Sequence, residues 1–403
     1  MQKSYKQTVR ACYIGTVCQA IIINLTAILF IPLGYQFGLS YTQLGALVLV
    51  NFAVQVSVSL IFGTIVDRFG FRRFILVAHF LAVVGMAWFA ATPVVPINPY
   101  ITLMTGTVIF AVAGGFLELL LSPILNSIPT DEKSSAMSIM HAFFCFGHLV
   151  VALLTTLFLL IFGREAWPVV VLVWILVPMV NLFFFAVSPM VTPVGTDTVS
   201  DTKDRSLGSA RTILRKPLFI VFIFAIMFAG ASEITFSQWT SAYLEEVIGL
   251  PKVVGDIAGV SMFAAMMGVC RIGYGILRRK GVLWLPSQAR LMQMGGLLAL
   301  ASYMLIAATA NPMLALLACA ICGLGVGLLW PGTLSLAVDA FPTAGTWMFA
   351  VLAAAGNIGS AVGPSAFGVI ADGVGLRAGF FAMTVLPVGA VICMCLYHRL
   401  RKT

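Results

Sequence analysis

The stretch GTIVDRFGFRR (residues 63–73) decides how the chain is read. It closes one long apolar run with an acid, turns through a glycine, and enters the next apolar run behind arginines. Gly63 allows two helices to approach closely. Asp67 is placed to cap a helix end and accept from a basic group or a neighbouring helix N-terminus. Arg68, Arg72 and Arg73 suit an anchor at lipid headgroups. The plainer reading is a generic positively charged turn. The pattern G-x-x-x-D-x-x-G-x-R recurs, however, in GVIADGVGLRA (368–378), and a degraded copy without the acid ends GYGILRRKG (273–281). Repeated three-helix units of this kind are typical of secondary transporters.

The surrounding composition fixes the class. Of 403 residues 61% are hydrophobic and 9% charged, against about 25% charged in a soluble domain. A soluble core of this length cannot hide so much apolar surface, so the chain reads as an all-α polytopic membrane protein. The first apolar run, from residue 11, is too long for the h-region of a cleavable signal peptide. The cysteine pairs Cys319/Cys322 and Cys393/Cys395 lie in apolar runs without polar support and read as small packing residues, not a metal or redox site.

A span needs about 20 mostly apolar residues, and the pattern predicts twelve: 11–36, 42–66, 74–93, 99–127, 136–162, 167–188, 217–244, 254–278, 288–309, 312–338, 344–371 and 376–398. They are numbered spans 1 to 12 below. The polar stretch 192–216 divides them into an N-terminal half, 1–191, and a C-terminal half, 217–403, and reads as a linker. With the N-terminus inside, Arg164, Lys252 and Arg377 fall on the outer side and Arg271 within a span, which leaves 19 of the 23 basic residues inside. That bias places the linker and both termini in the cytoplasm, in a cell (inner) membrane. The net charge of +9 is then a topology and lipid-headgroup signal, and a nucleic-acid role loses its support.

The loop at Gly63, Asp67, Arg68, Gly70, Arg72 and Arg73 resembles the signature of the major facilitator superfamily. The resemblance implies two pseudo-symmetric six-helix halves and a gating role for these six residues. Further runs are similar to the fucose–proton symporter-like branch: GGFLELLLSPILNSIP in span 4, MHAFFCFGHLV (140–150) in span 5, FAGASEITFSQWTSAYLEE (228–246) in span 7 and LWPGTLSLA (329–337) in span 10. That branch's sugar symporter has an acid in span 1. Here IIINLTAILFIP (21–32) has none, so proton coupling must use fewer or different groups.

Candidate site residues follow from polar groups in oil. Charging a carboxylate at mid-bilayer costs roughly 2.5–3.5 kcal/mol, so Glu118 calls for a wet cavity or a bound proton, the alternative being a structural acid. Ser122 and Asn126 follow it at helical spacing, and Pro123 frees a carbonyl in the same turn. Glu233 in span 7 and Arg271 in span 8 complete the expected proton-coupling set. Arg271 needs a partner: Glu118 is the hypothesis, with Glu233 or backbone carbonyls as rivals. The substrate-binding candidates are Asn24, Asn126, His141, Phe144, Gln238, Trp239, Trp330 and Asn357. For Asn24, Asn357 and Gln19, helix–helix hydrogen bonding is equally open; His79 and His148 read as structural, and Gly359/Gly363 as close helix packing.

The expectation is secondary active transport of a small polar solute, a sugar or sugar-like compound, by alternating access with protons. The alternatives are a proton-driven exporter of amphiphilic compounds, a uniporter, or a non-transporting sensor of the same fold. No enzyme motif is present. No cofactor or metal is expected, and the partners are substrate, protons and lipid around a monomer.

Overall fold

Proline places the discontinuities of this helical protein. A proline lacks the N–H that would bond the carbonyl four residues earlier, and its ring crowds that carbonyl. Span 1 is built of Lys6–Ile28 and Phe30–Phe37, broken at Leu29, three residues before Pro32. Span 10 is Pro312–Val326 and Leu329–Ala340, broken at Gly327 before Pro331. Span 12 is Leu376–Ala382 and Val385–Leu400, broken at Met383 before Pro387. Pro123, Pro178 and Pro364 instead sit inside continuous helices.

The computed structural model describes residues 5–128, 133–190, 213–280, 286–341 and 346–401. Spans 2 to 7 are Tyr41–Phe69, Phe71–Ala90, Pro99–Ser127, Lys133–Phe162, Trp167–Val187 and Pro217–Glu246. Span 8 joins Lys252–Val254, a π-helical turn Gly255–Val260, and Ser261–Arg279. Spans 9 and 11 are Gln288–Ala308 and Thr346–Val374. Among the described residues eleven of these are long and apolar enough to cross a membrane. The exception is Thr346–Val374, several of whose side chains lie outside the described residues. Most of the expected linker, 192–212, also lies outside them.

The chain divides into two compact units, Met1–Val194 and Gly195–Thr403. Within the first, span 1 packs on span 5, span 4 on spans 2 and 3, and span 3 on span 6. Within the second, span 7 packs on span 11, span 10 on spans 8 and 9, and span 9 on span 12. The pattern is identical once six is added to each number, which is the pseudo-symmetry of two six-helix halves. Close approach is bought with missing side chains: a Cβ on Gly359 of span 11 would lie 1.9 Å from the Met227 carbonyl of span 7, and one on Gly363 2.3 Å from Thr235 Oγ1.

The repeated motif has a backbone cause. Gly70 joins spans 2 and 3 at φ 83°, and Gly375 joins spans 11 and 12 at φ 91°, a region that costs side-chain-bearing residues strain. The arginine two residues on serves as a cap in each copy. Arg72 donates from Nη1 to Ala186 O and from Nη2 to Ser188 O, both at 2.6 Å, at the end of span 6. Arg377 donates to Thr309 O, at the end of span 9, over 3.4 Å. A cation at the exposed carbonyls of a helix C-terminus is favourable.

Candidate functional site

In the first unit Glu118 stands on span 4, half-buried, one turn beyond Gly114 and one turn before Ser122. A Cβ on Gly114 would lie 2.9 Å from Gln55 Cδ, so span 2 reaches this face of span 4 through a glutamine. That glutamine belongs to an amide ladder. Gln19 Nε2 donates to Gln55 Oε1 at 2.8 Å, Gln55 Nε2 to Asn51 Oδ1 at 2.7 Å, and Asn51 Nδ2 to Ile22 O at 2.8 Å. All three side chains are buried. The open hydrogen-bonding question for Gln19 is therefore answered at its nitrogen by helix–helix bonding, while its Oε1 is buried without a partner. Asn24 likewise donates to Ala20 O at 2.9 Å and keeps a buried Oδ1 with no partner. An acceptor left like this favours a donor from a ligand or water.

On span 5 His141 is exposed and Phe144 half-buried, the accessibility a ligand contact requires; His148 is buried. His79 is structural. Its Nδ1 lies 2.7 Å from Ile75 O and its Nε2 2.8 Å from Asn181 Nδ2, which also donates to Ala11 O at 3.1 Å. With Nδ1–H as donor and Nε2 as acceptor, both ring nitrogens are used within the unit. The side chains of Gly63, Asp67, Arg68 and Asn126 lie outside the described residues; Arg73 is exposed.

In the second unit Arg271 takes one of the rival partners named from the sequence, and in fact two at once. Its Nη2 lies 3.1 Å from Glu233 Oε2, and its Nε donates to Gly327 O at 2.9 Å. The planar guanidinium suits this, because its donors point in fixed, separate directions. Gly327 is the residue whose carbonyl Pro331 leaves without an amide. Beside the break, the Trp330 ring packs onto backbone: Cβ atoms on Gly356 and Gly230 would lie 2.2 Å and 2.9 Å from it. Trp330 is half-buried, and Asn357 and Gln238 are buried.

Trp239, expected at the ligand, is closed into the helix bundle instead. It is fully buried, stacks on Phe367 with centroids 4.8 Å apart, and donates its indole N–H to Pro364 O at 3.0 Å. Its indole N–H is thus used within the bundle. A further correction concerns charge. The expected coupling set names Glu118 and Glu233 as its acids and passes over Asp256, although predicted span 8 (254–278) contains it. Asp256 is fully buried in the π-turn of span 8; Lys252, 7% exposed, pairs with it at 2.9 Å and donates to Ser241 Oγ at 3.1 Å, and Ser241 donates to Asp256. The signal was present in Lys and Asp four residues apart at the start of an apolar run.

These spans, their repeated packing and a match over residues 12–348 to the family described as Major Facilitator Superfamily meet on one answer. The chain belongs to the Major Facilitator Superfamily. It is an integral multi-pass membrane protein of a transporter family. No curated protein matches this facilitator in sequence. Solved structures match its fold over nearly the whole length. A D-xylose-proton symporter has 13% identity and a TM-score of 0.82, covering 98% of this chain and 97% of its own. A bacterial homolog of the human lysosomal transporter Spinster, inward-facing and occupied, has 16% identity and a TM-score of 0.79, covering 99% and 98%. A POT family transporter in complex with 5-aminolevulinic acid has 15% identity and a TM-score of 0.73, covering 96% and 95%. At these identities the likeness is one of fold.

Proposed function

We propose that this facilitator carries a small neutral polar solute, a sugar or sugar-like compound, by alternating access, and that a proton on Glu118 drives it. The observation that carries the reading is a half-buried carboxylate about two-thirds of the way along span 4, where ionisation is costly unless water reaches it. The runs in spans 4, 5, 7 and 10 that resemble the fucose–proton symporter-like branch support it. So does the neutral polar character of the groups around the candidate site: the Gln19 and Asn24 amides carry buried acceptors and no charge. Glu233 and Arg271 complete the coupling set. His141, Phe144, Trp330, Asn24, Asn126, Gln238 and Asn357 are the proposed substrate contacts, and the loop from Gly63 to Arg73 the gate. Both termini face the cytoplasm in this reading, on the basic-residue bias.

The test is Glu118→Gln in proteoliposomes, after a thermal-shift screen of monosaccharides has chosen a radiolabelled probe. Uptake driven by a pH gradient is expected to vanish, while counterflow exchange of the same sugar persists. Uphill, pH-dependent uptake by the variant would remove Glu118 from the role. Stabilisation by lipophilic cations and by no sugar would favour the exporter reading.

A further inference from the structure

Span 10 is broken at Gly327, and the break has a vacancy in its hydrogen bonding. In an unbroken helix the amide of residue 331 would donate to Gly327 O. Residue 331 is a proline and has no N–H. The carbonyl is not left bare: Arg271 Nε occupies the donor position at 2.9 Å. The same guanidinium is held from its other side by Glu233 Oε2 at 3.1 Å. Both side chains are largely buried, 16% and 10% exposed, so neither contact is weakened much by water.

We propose that Arg271 is the substitute for the amide missing at Pro331, and that it makes the geometry of the span 10 break follow the state of Glu233. Arg271 is then a positioning residue. What it positions is the half-helix Leu329–Ala340, whose second residue is Trp330. With Glu233 ionised, the guanidinium is clamped between carboxylate and carbonyl, and the break is held. With Glu233 neutral, the guanidinium loses the charge that strengthens its contact with Oε2, and its hold on the break is weaker. The half-helix and its tryptophan are then free to re-seat against Gly230 and Gly356. Among the described residues, Arg271 of span 8 contacts Glu233, and Cys322 of span 10 lies within its electrostatic reach. The Tyr303 hydroxyl of span 9 donates at 2.8 Å to the carbonyl of Ser232, the residue before Glu233. Discontinuous helices with exposed carbonyls are where transporters place their moving ligand contacts. The assignment of Trp330 as a substrate contact rests on the function proposed above; the tie between Glu233, Arg271 and Gly327 does not.

Hydrogen exchange read by mass spectrometry on the detergent-solubilised full chain tests this without a substrate. The reporter is the segment 326–333, compared among variants at one pH, with a span 3 segment as control. Glu233→Gln is expected to speed exchange at 326–333 several-fold and leave span 3 unchanged. The neutral pair Arg271→Met with Glu233→Gln removes the substitute donor without stranding a buried charge, and is expected to give roughly tenfold faster exchange there. Adding Pro331→Ala to that pair returns an amide to residue 331 and should restore protection. A merely structural Arg271 predicts no such rescue. Unchanged exchange at 326–333 in the neutral pair, or failure of Pro331→Ala to restore it, overturns the proposal. Either failure leaves the Glu118 uptake test untouched.

Discussion

Gly359→Ala offers a direct test of the helix crossing on which the second half depends. The added Cβ would lie 1.9 Å from Met227 O, where ordinary contact begins at 3.4 Å. Spans 7 and 11 must part by about 1.5 Å to accept it. The obstacle is a backbone carbonyl, so no side-chain rotation relieves it. Gaps of 0.5–1 Å already forfeit about a quarter to a half of each dispersion contact. Overpacking of this kind costs about 1–3 kcal/mol, and the better helix propensity of alanine returns at most about 1 kcal/mol. The expected net loss is therefore about 1–2 kcal/mol. Gly273→Ala is the control: it is also helical, but a Cβ there meets nothing within 4 Å, so only the propensity gain remains. Thermal unfolding in detergent, followed by tryptophan fluorescence, should place Gly359→Ala below and Gly273→Ala at or above the wild-type midpoint. If Gly359→Ala unfolds at or above wild type, the close crossing is not what holds these spans together.

Three further outcomes are expected in the same unfolding assay. Lys252→Met strands a fully buried Asp256 and should cost about 3–5 kcal/mol, while the double variant with Asp256→Leu recovers most of it; equal midpoints for the two variants would argue against a buried pair. Gln55→Leu leaves Gln19 Nε2 and Asn51 Oδ1 without their partners and should cost about 1–3 kcal/mol, whereas a neutral result would mean water replaces the ladder. Arg72→Ala removes the donors from Ala186 O and Ser188 O and should lower stability by about 1 kcal/mol, with Arg72→Lys recovering part. If the alanine and lysine variants unfold together, the cap does not depend on charge.

Much of the local architecture was legible before any coordinates. Twelve apolar runs marked the spans, and the breaks in spans 1, 10 and 12 sit three or four residues before a proline. The paired motifs at 63–73 and 368–378 marked two glycine turns followed by arginines; the positive φ of Gly70 and Gly375 and the reach of Arg72 and Arg377 to helix-end carbonyls came from the structure. These features depend on residues within a turn or two of each other, so the sequence carries them directly. Partnerships between spans were read less well. For Arg271 the sequence left Glu118, Glu233 and backbone carbonyls all open, and the burial of Trp239 against Phe367 was not visible in it. The Lys252–Asp256–Ser241 trio and the Gln19–Gln55–Asn51 ladder were missed.

What the sequence alone determined is therefore membership, span order and the places where helices stop. What tertiary structure decided is which polar group answers which. One residue turns a helix face by about 100° and advances it only about 1.5 Å. A small error in rotation or register thus exchanges a cavity-facing side chain for a buried one. Only the packed unit fixes that rotation, and it is what turns Arg271 toward both Glu233 and the carbonyl that Pro331 leaves open.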